Sequence, residues 1–264
     1  MKAALITDKE TISFLEFEDP EPKSDEVVVE ITLCGICGTD IHGYKTPGPM
    51  RPSICGHEWT GIVSKTGSEV TRINEGDRVV VAVPPSCGSC DSCRAGQMEK
   101  CMTVLEATVA AGRFDTPHGG FAPRIAVNHW RTILANSRLS EIQAAQIEPT
   151  TICFHAVRST PPRLGDVVVV QGAGPIGLTT LQWARVAGAG TLISVEPDSN
   201  RRDVAANLGA DYTVEAGDPA QSLLNELTSG LGADVVYECA GVAPALQSAV
   251  DFCLLYTSPS PRDS

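Results

Sequence analysis

Positive charge is scarce in this chain. Twenty Lys and Arg stand against 32 Asp and Glu, for a net charge of −12. Phosphate backbones are bound by basic surfaces, so this balance excludes a nucleic-acid partner. Long apolar runs are missing too: no stretch approaches the roughly 20 residues needed to cross a bilayer. A secretory leader is not expected either. MKAALITDKETISF has Lys2 and then a five-residue run broken by Asp8, too short for an export signal. No internal repeat is visible. A cytoplasmic protein without membrane or nucleic-acid partners is expected.

What is present is ordinary in bulk and unusual in one respect. At 264 residues, 42% hydrophobic and 20% charged, the chain exceeds one typical domain and can bury a core. Its ten cysteines are many for a reducing compartment. Disulfide frameworks belong to short secreted chains that cannot build a core. Four of the ten lie between positions 87 and 101, and metal binding explains that crowding better.

Two halves have different rhythms. Residues 1–149 carry short β-type runs at Ala3–Ile6, Val27–Ile31, Gly61–Val63, Arg78–Val83 and Phe121–Val127. Turn clusters such as Pro20-Glu-Pro22, Asn74–Asp77 and Pro84-Pro85 separate them, the pattern of a small barrel or folded sheet. From Asp166 strands and helices alternate. Val167–Gln171 is a β-branched run suited to a strand covered on both faces. A helix from Pro175 to Ala187, a strand Thr191–Val195 and a helix Arg201–Leu208 follow. Next come a strand Tyr212–Val214, a helix Ala220–Leu227, a strand Asp234–Glu238 and a helix starting near Ala243. This is a parallel α/β sheet. Only four strands are present where a doubly wound dinucleotide domain has six. Residues 254–264 have no helical or strand period and read as a non-native tail, so the chain is expected to be truncated.

Gly172-Ala-Gly174-Pro175-Ile176-Gly177 follows a strand and opens a helix. Such glycines allow a tight turn, close approach of main-chain N–H groups to a pyrophosphate, and close helix–strand packing. The helix N-terminus adds a partial positive charge. Glu196 ends the next strand, where an acid accepts the adenosine ribose hydroxyls and repels a 2′-phosphate. NAD is therefore expected over NADP, with Arg201 close enough to touch the ribose or phosphate. Cys87-x-x-Cys90-x-x-Cys93-x7-Cys101 is a second strong pattern. Four thiolates on one short loop can close a tetrahedron around structural zinc. Disulfides or an iron–sulfur cluster are the alternatives, but the bacterial ferredoxin run has three residues before its last Cys, not seven.

CGICGTDIH, GHEWTG, GDRV, CGSCDSCRAGQMEKC, IEPTTICFHAV and GAGPIG occur in this order. Together they resemble the medium-chain zinc-dependent alcohol dehydrogenases, over about residues 1–253. The resemblance implies a GroES-like catalytic domain (1–149, with the 87–101 lobe), followed by a partial Rossmann NAD-binding domain (150–253). It implies two zinc ions per chain and hydride transfer between a secondary alcohol or polyol and NAD. Cys37, His57 and Glu148 match ligands of a catalytic zinc, and Glu58 can itself approach or bind the metal. Thr39 resembles the hydroxyl that takes the alcohol proton, His42 the end of a relay to solvent, and Asp40 a partner for the second N–H of His57. Cys34, Cys55, Cys153, Cys239 and Cys253 receive no role and are expected as buried thiols, and His155 as structural. For the full-length form the resemblance implies a homodimer or homotetramer. An aldehyde- or formaldehyde-type dehydrogenase, or an inactive zinc-binding fragment, are the competing readings.

Overall fold

The computed structural model describes residues 1–46, 56–81, 86–102 and 119–253, with the Glu99 side chain omitted. The chain divides into two compact units, Met1–Glu148 and Pro149–Ser264, with the boundary inside helix Ile147–Ser159. Among the described residues, no helix is long and apolar enough to cross a membrane.

Among the described residues the first unit holds seven strands. β1 (Lys2–Asp8) and β2 (Thr11–Glu16) form an antiparallel hairpin. β3 (Glu26–Gly35), β4 (Glu58–Thr66), β5 (Arg78–Val81), β6 (Arg124–Asn128) and β7 (Thr132–Leu134) form a five-stranded antiparallel sheet in the order β6-β3-β4-β5-β7. Every run expected from the sequence lies in or beside a strand. Residues 82 and 83 of the Arg78 run, however, fall outside the described residues. β2 and β7 were not anticipated. β2 leaves Ile12, Phe14 and Leu15 exposed, so it lacks the alternation that marks a half-buried strand. β7 is too short to show a period. Val27, Val29, Trp59, Val63, Val79 and Ile125 bury the centre of this sheet. Each such aliphatic side chain contributes about 1.5–3 kcal/mol relative to exposure.

The described residues of the second unit form a four-stranded parallel sheet. β8 (Val167–Gln171), β9 (Thr191–Val195), β10 (Tyr212–Val214) and β11 (Val235–Glu238) lie in the order β10-β9-β8-β11. Period-2 alternation along β8 explains why this run is apolar throughout. Val168 and Val170 pack with Leu181 and Ala184 of helix Pro175–Ala187. Val169 packs on the other side with Leu224 of helix Asp218–Thr228 and Phe252 of helix Ala243–Phe252. At the outer edge Cys253 makes a parallel bridge to Ala233, beside β11. Residues 254–264, read above as a tail, lie outside the described residues.

Candidate metal centre and dinucleotide loop

Two groups of ligand-type side chains converge among the described residues, both in the first unit. Cys87, Cys90, Cys93 and Cys101 bring their sulfurs within 4.8 Å of one another. Local turns do this. The Cys90 N–H donates to Cys87 Sγ at 3.3 Å, and the Cys87 N–H donates to Cys101 Sγ at 3.3 Å. Cys90 and Cys101 sulfurs lie 4.0 Å apart. A disulfide needs about 2.05 Å, whereas four sulfurs about 2.3 Å from zinc stand about 3.8 Å apart. The lobe therefore fits a metal and not a pair of disulfides. Burial, with neighbouring thiols adding to it, pushes the Cys93 thiol up to about 12. A metal must displace protons to bind here.

The second group is Cys37, His57 and Glu58, whose donor atoms also lie within 4.8 Å of one another. Sheet register is responsible. β3 and β4 pair antiparallel with Gly35 opposite Glu58 and Cys34 opposite Trp59, so the chain leaving β3 meets the chain entering β4. Gly35 makes room, since a Cβ there would overlap the Glu58 carboxylate. Cys37 then caps helix Gly38–Lys45. One thiolate, one imidazole and one carboxylate form a chemically sensible donor set for an open catalytic zinc site. Glu148 stands outside this group of three, though it is near enough to interact with it. Burial raises its carboxyl above the usual range, His57 opposes the rise, and Glu58 adds to it.

Asp40 plays a different part from the one expected. Its carboxylate is 7% exposed and accepts the Cys37 N–H at 3.0 Å and the Gly56 N–H at 3.3 Å. It thus ties together the two segments that carry Cys37 and His57 and does not engage the His57 ring. A Cys-x-x-Asp spacing at a helix start was the available signal, because the third helical position reaches back to the cap. Gly56 has φ +92°, and a Cβ would meet Cys34 Sγ and the Phe121 ring at 2.8 Å. Only glycine fits there. Cys34 is half-buried beneath the site, and burial pushes its thiol up to about 12, with Asp40 and Glu58 adding to the rise. Thr39 is exposed with its hydroxyl 3.7 Å from Cys37 Sγ, and His42 is exposed on the same helix. Cys55 lies outside the described residues. Cys153 is buried as expected, whereas Cys239 and Cys253 are half-buried and His155 is exposed.

The glycine loop lies within the second unit. Gly172 has φ +89° and donates to Val195 O at 2.8 Å, which stitches the turn to β9. Gly174 caps helix Pro175–Ala187 with no side chain on its N-terminus, and a Cβ on Gly174 would meet open space. At Gly177 a Cβ would overlap the Gly172 carbonyl, so helix and strand approach as the spacing implied. Ile176 lines a cavity of about 310 Å³ with Cys153, Thr180, Tyr237, Glu238 and Cys239. Glu196 is 4% exposed and accepts the Ala173 and Asp198 N–H groups. Arg201 is exposed, and its main-chain N–H bonds the Asp198 carboxylate. Arg202, unremarked in the sequence, donates to the Glu196 and Pro197 carbonyls.

The chain is similar to known zinc-binding dehydrogenases. Residues 23–137 match the alcohol dehydrogenase GroES-like domain and residues 175–254 the zinc-binding dehydrogenase domain. Sorbitol dehydrogenase of Halalkalibacterium halodurans is 34% identical, over 95% of this chain and 73% of its own. (R,R)-butanediol dehydrogenase of Saccharomyces cerevisiae is 30% identical, over 95% of this chain and 73% of its own. A zinc-binding dehydrogenase structure from Sinorhizobium meliloti 1021 bound to NADP superposes with a TM-score of 0.81 at 32% identity, covering 96% of this chain and 73% of that one. An alcohol dehydrogenase structure from Escherichia coli CFT073 with NADH gives 0.82 at 31% identity, covering 98% and 74%.

Proposed function

Because the chain belongs to the zinc-dependent medium-chain polyol dehydrogenases, we propose that Cys37, His57 and Glu58 hold the zinc at which a secondary alcohol or polyol is oxidised reversibly with NAD. When bound, that metal supplies Lewis acidity, which makes a substrate hydroxyl proton acidic near neutral pH. The observation carrying this reading is the convergence of one thiol, one imidazole and one carboxylate within 4.8 Å. Three protein donors leave a fourth position for the substrate. Glu148, held close but outside the trio, is positioned to exchange with Glu58 as the acidic ligand.

Thr39, exposed beside the Cys37 sulfur, takes the substrate proton. His42, exposed further along the same helix, passes it to solvent, the task for which imidazole is suited. Asp40 fixes the main chain of the two ligand-bearing segments. In the second unit, the open N-terminus at Gly174 through Gly177 receives the dinucleotide pyrophosphate. Glu196 accepts the ribose hydroxyls, and exposed Arg201 lies beside them. Cys87, Cys90, Cys93 and Cys101 hold a second, closed zinc that shapes their lobe. A cytoplasmic setting suits thiols that must stay reduced to bind metal, and assembly into dimers or tetramers belongs to the same reading.

The test is zinc per chain by elemental analysis of protein purified under reducing conditions, followed by a panel of sorbitol, 2,3-butanediol and formaldehyde with NAD and NADP. Two equivalents, with NAD-linked turnover of the secondary alcohols, are the expected result. One equivalent and no turnover would leave only the cysteine lobe and refute the catalytic assignment.

A further inference from the structure

Glu196 directly follows β9, 23 residues beyond Ala173 in the glycine loop. It is 4% exposed, and a buried carboxylate is costly unless hydrogen-bonded. Its Oε2 accepts the Ala173 N–H at 2.7 Å and its Oε1 accepts the Asp198 N–H at 3.1 Å. No ion pair to this carboxylate occurs among the described residues. The nearby Arg202 guanidinium instead bonds the main-chain carbonyls of Glu196 and Pro197, at 2.7 and 2.8 Å. The charge is thus offset by main-chain donors, one of them in the middle of the Gly172–Gly174 turn.

We infer that Glu196 is a positioning residue for the glycine loop: it holds Ala173 inward and so sets the loop for a pyrophosphate-bearing ligand before any ligand arrives. The inference rests on the dinucleotide reading above and goes beyond a contact to ribose. Ala173 is 2% exposed, so its N–H serves Glu196 and not a phosphate. Pro175 has no N–H at all. The donors left for phosphate are those of Gly174, Ile176 and Gly177, and their position depends on where the turn is pinned. A carboxylate offers about four lone-pair sites. Two are filled by the main chain, and two remain for ribose hydroxyls, so bracing and ribose contact are compatible.

Two measurements on the full chain separate bracing from ribose contact alone. In Glu196→Gln the amide keeps one acceptor and turns an NH₂ toward the other main-chain donor, leaving one N–H without a partner. Amide hydrogen exchange in ligand-free protein should then show Ala173 opening about tenfold or more faster, with Val168 and Val170 of β8 unchanged. Affinities for NADH and for inorganic pyrophosphate, a probe without ribose, should fall by similar factors. A variant that weakens NADH alone, with Ala173 exchange and pyrophosphate binding unchanged, would overturn the inference. Glu196→Asp, one methylene shorter, should show the same pattern in milder form if Gln unsettles the fold. Failure of the unsubstituted protein to bind NADH would count against the dinucleotide reading, while the exchange of Ala173 would still decide the role of Glu196.

Discussion

The two ligand clusters of the first unit reach similar geometry by opposite routes. In the cysteine lobe all four donors come from positions 87–101, and N–H···S bonds between those same residues shape it. In the other cluster Cys37 is brought to His57 and Glu58 by the β3–β4 register, the Asp40 clasp and the Gly56 turn. The lobe is closed chemistry carried on a short loop. The mixed cluster is open chemistry that exists only if the sheet forms in register. The two should therefore fail in different ways.

The largest difference should appear with pH. Ligands must lose their protons to bind metal, and the lobe must lose four from thiols, including Cys93, which burial pushes up to about 12. The mixed cluster has one thiol. Each displaced proton weakens binding about tenfold per pH unit lowered. Lowering pH by one unit should thus cost the lobe up to about 10⁴-fold in zinc affinity, and the mixed cluster far less. Chelator competition at two pH values checks this; equal slopes would erase the distinction.

Substitution should separate the sites next. His57→Ala should lower kcat by about three orders of magnitude or more and reduce bound zinc from two equivalents to one. Cys93→Ser should also leave one equivalent, but with the mixed cluster still loaded. Elemental analysis with visible spectra of the cobalt-substituted forms tells which site is filled. Thiolate-rich spectra retained in Cys93→Ser would contradict the assignment.

Asp40→Asn tests whether the open site depends on its clasp. Loss of a group that orients metal ligands typically costs 10–100-fold in affinity, and that range is expected for the mixed cluster with the lobe untouched. The smallest effect should come from Gly56→Ala, which forces a β-carbon into a left-handed turn against Cys34 and Phe121. Destabilisation of about 1–3 kcal/mol in chemical denaturation is expected. No change would mean that the turn relaxes without disturbing His57.

What could be read in advance follows the same division. The lobe was legible because its donors are close in sequence and their spacing alone limits the chemistry. The parallel sheet was legible because a strand covered on both faces has no polar alternation, as Val167–Gln171 shows. The glycine loop was legible because its turn requires residues without side chains. β2 and β7 were not, one being exposed and the other only three residues long. Sequence order also suggested both Glu58 and Glu148 as acidic ligands, and could not rank them.

Composition and local spacing, then, determined the fold class, the glycine turn that opens a helix and the grouping of the four thiols, because each depends on neighbours within a turn or an element. Tertiary structure decided that the Glu58 carboxylate lies with Cys37 and His57, that Asp40 grips main-chain N–H groups and not an imidazole, and that Glu196 is buried against the loop it follows. Those outcomes depend on strand register and on which donors a buried carboxylate meets, and neither is encoded in the spacing of residues along the chain.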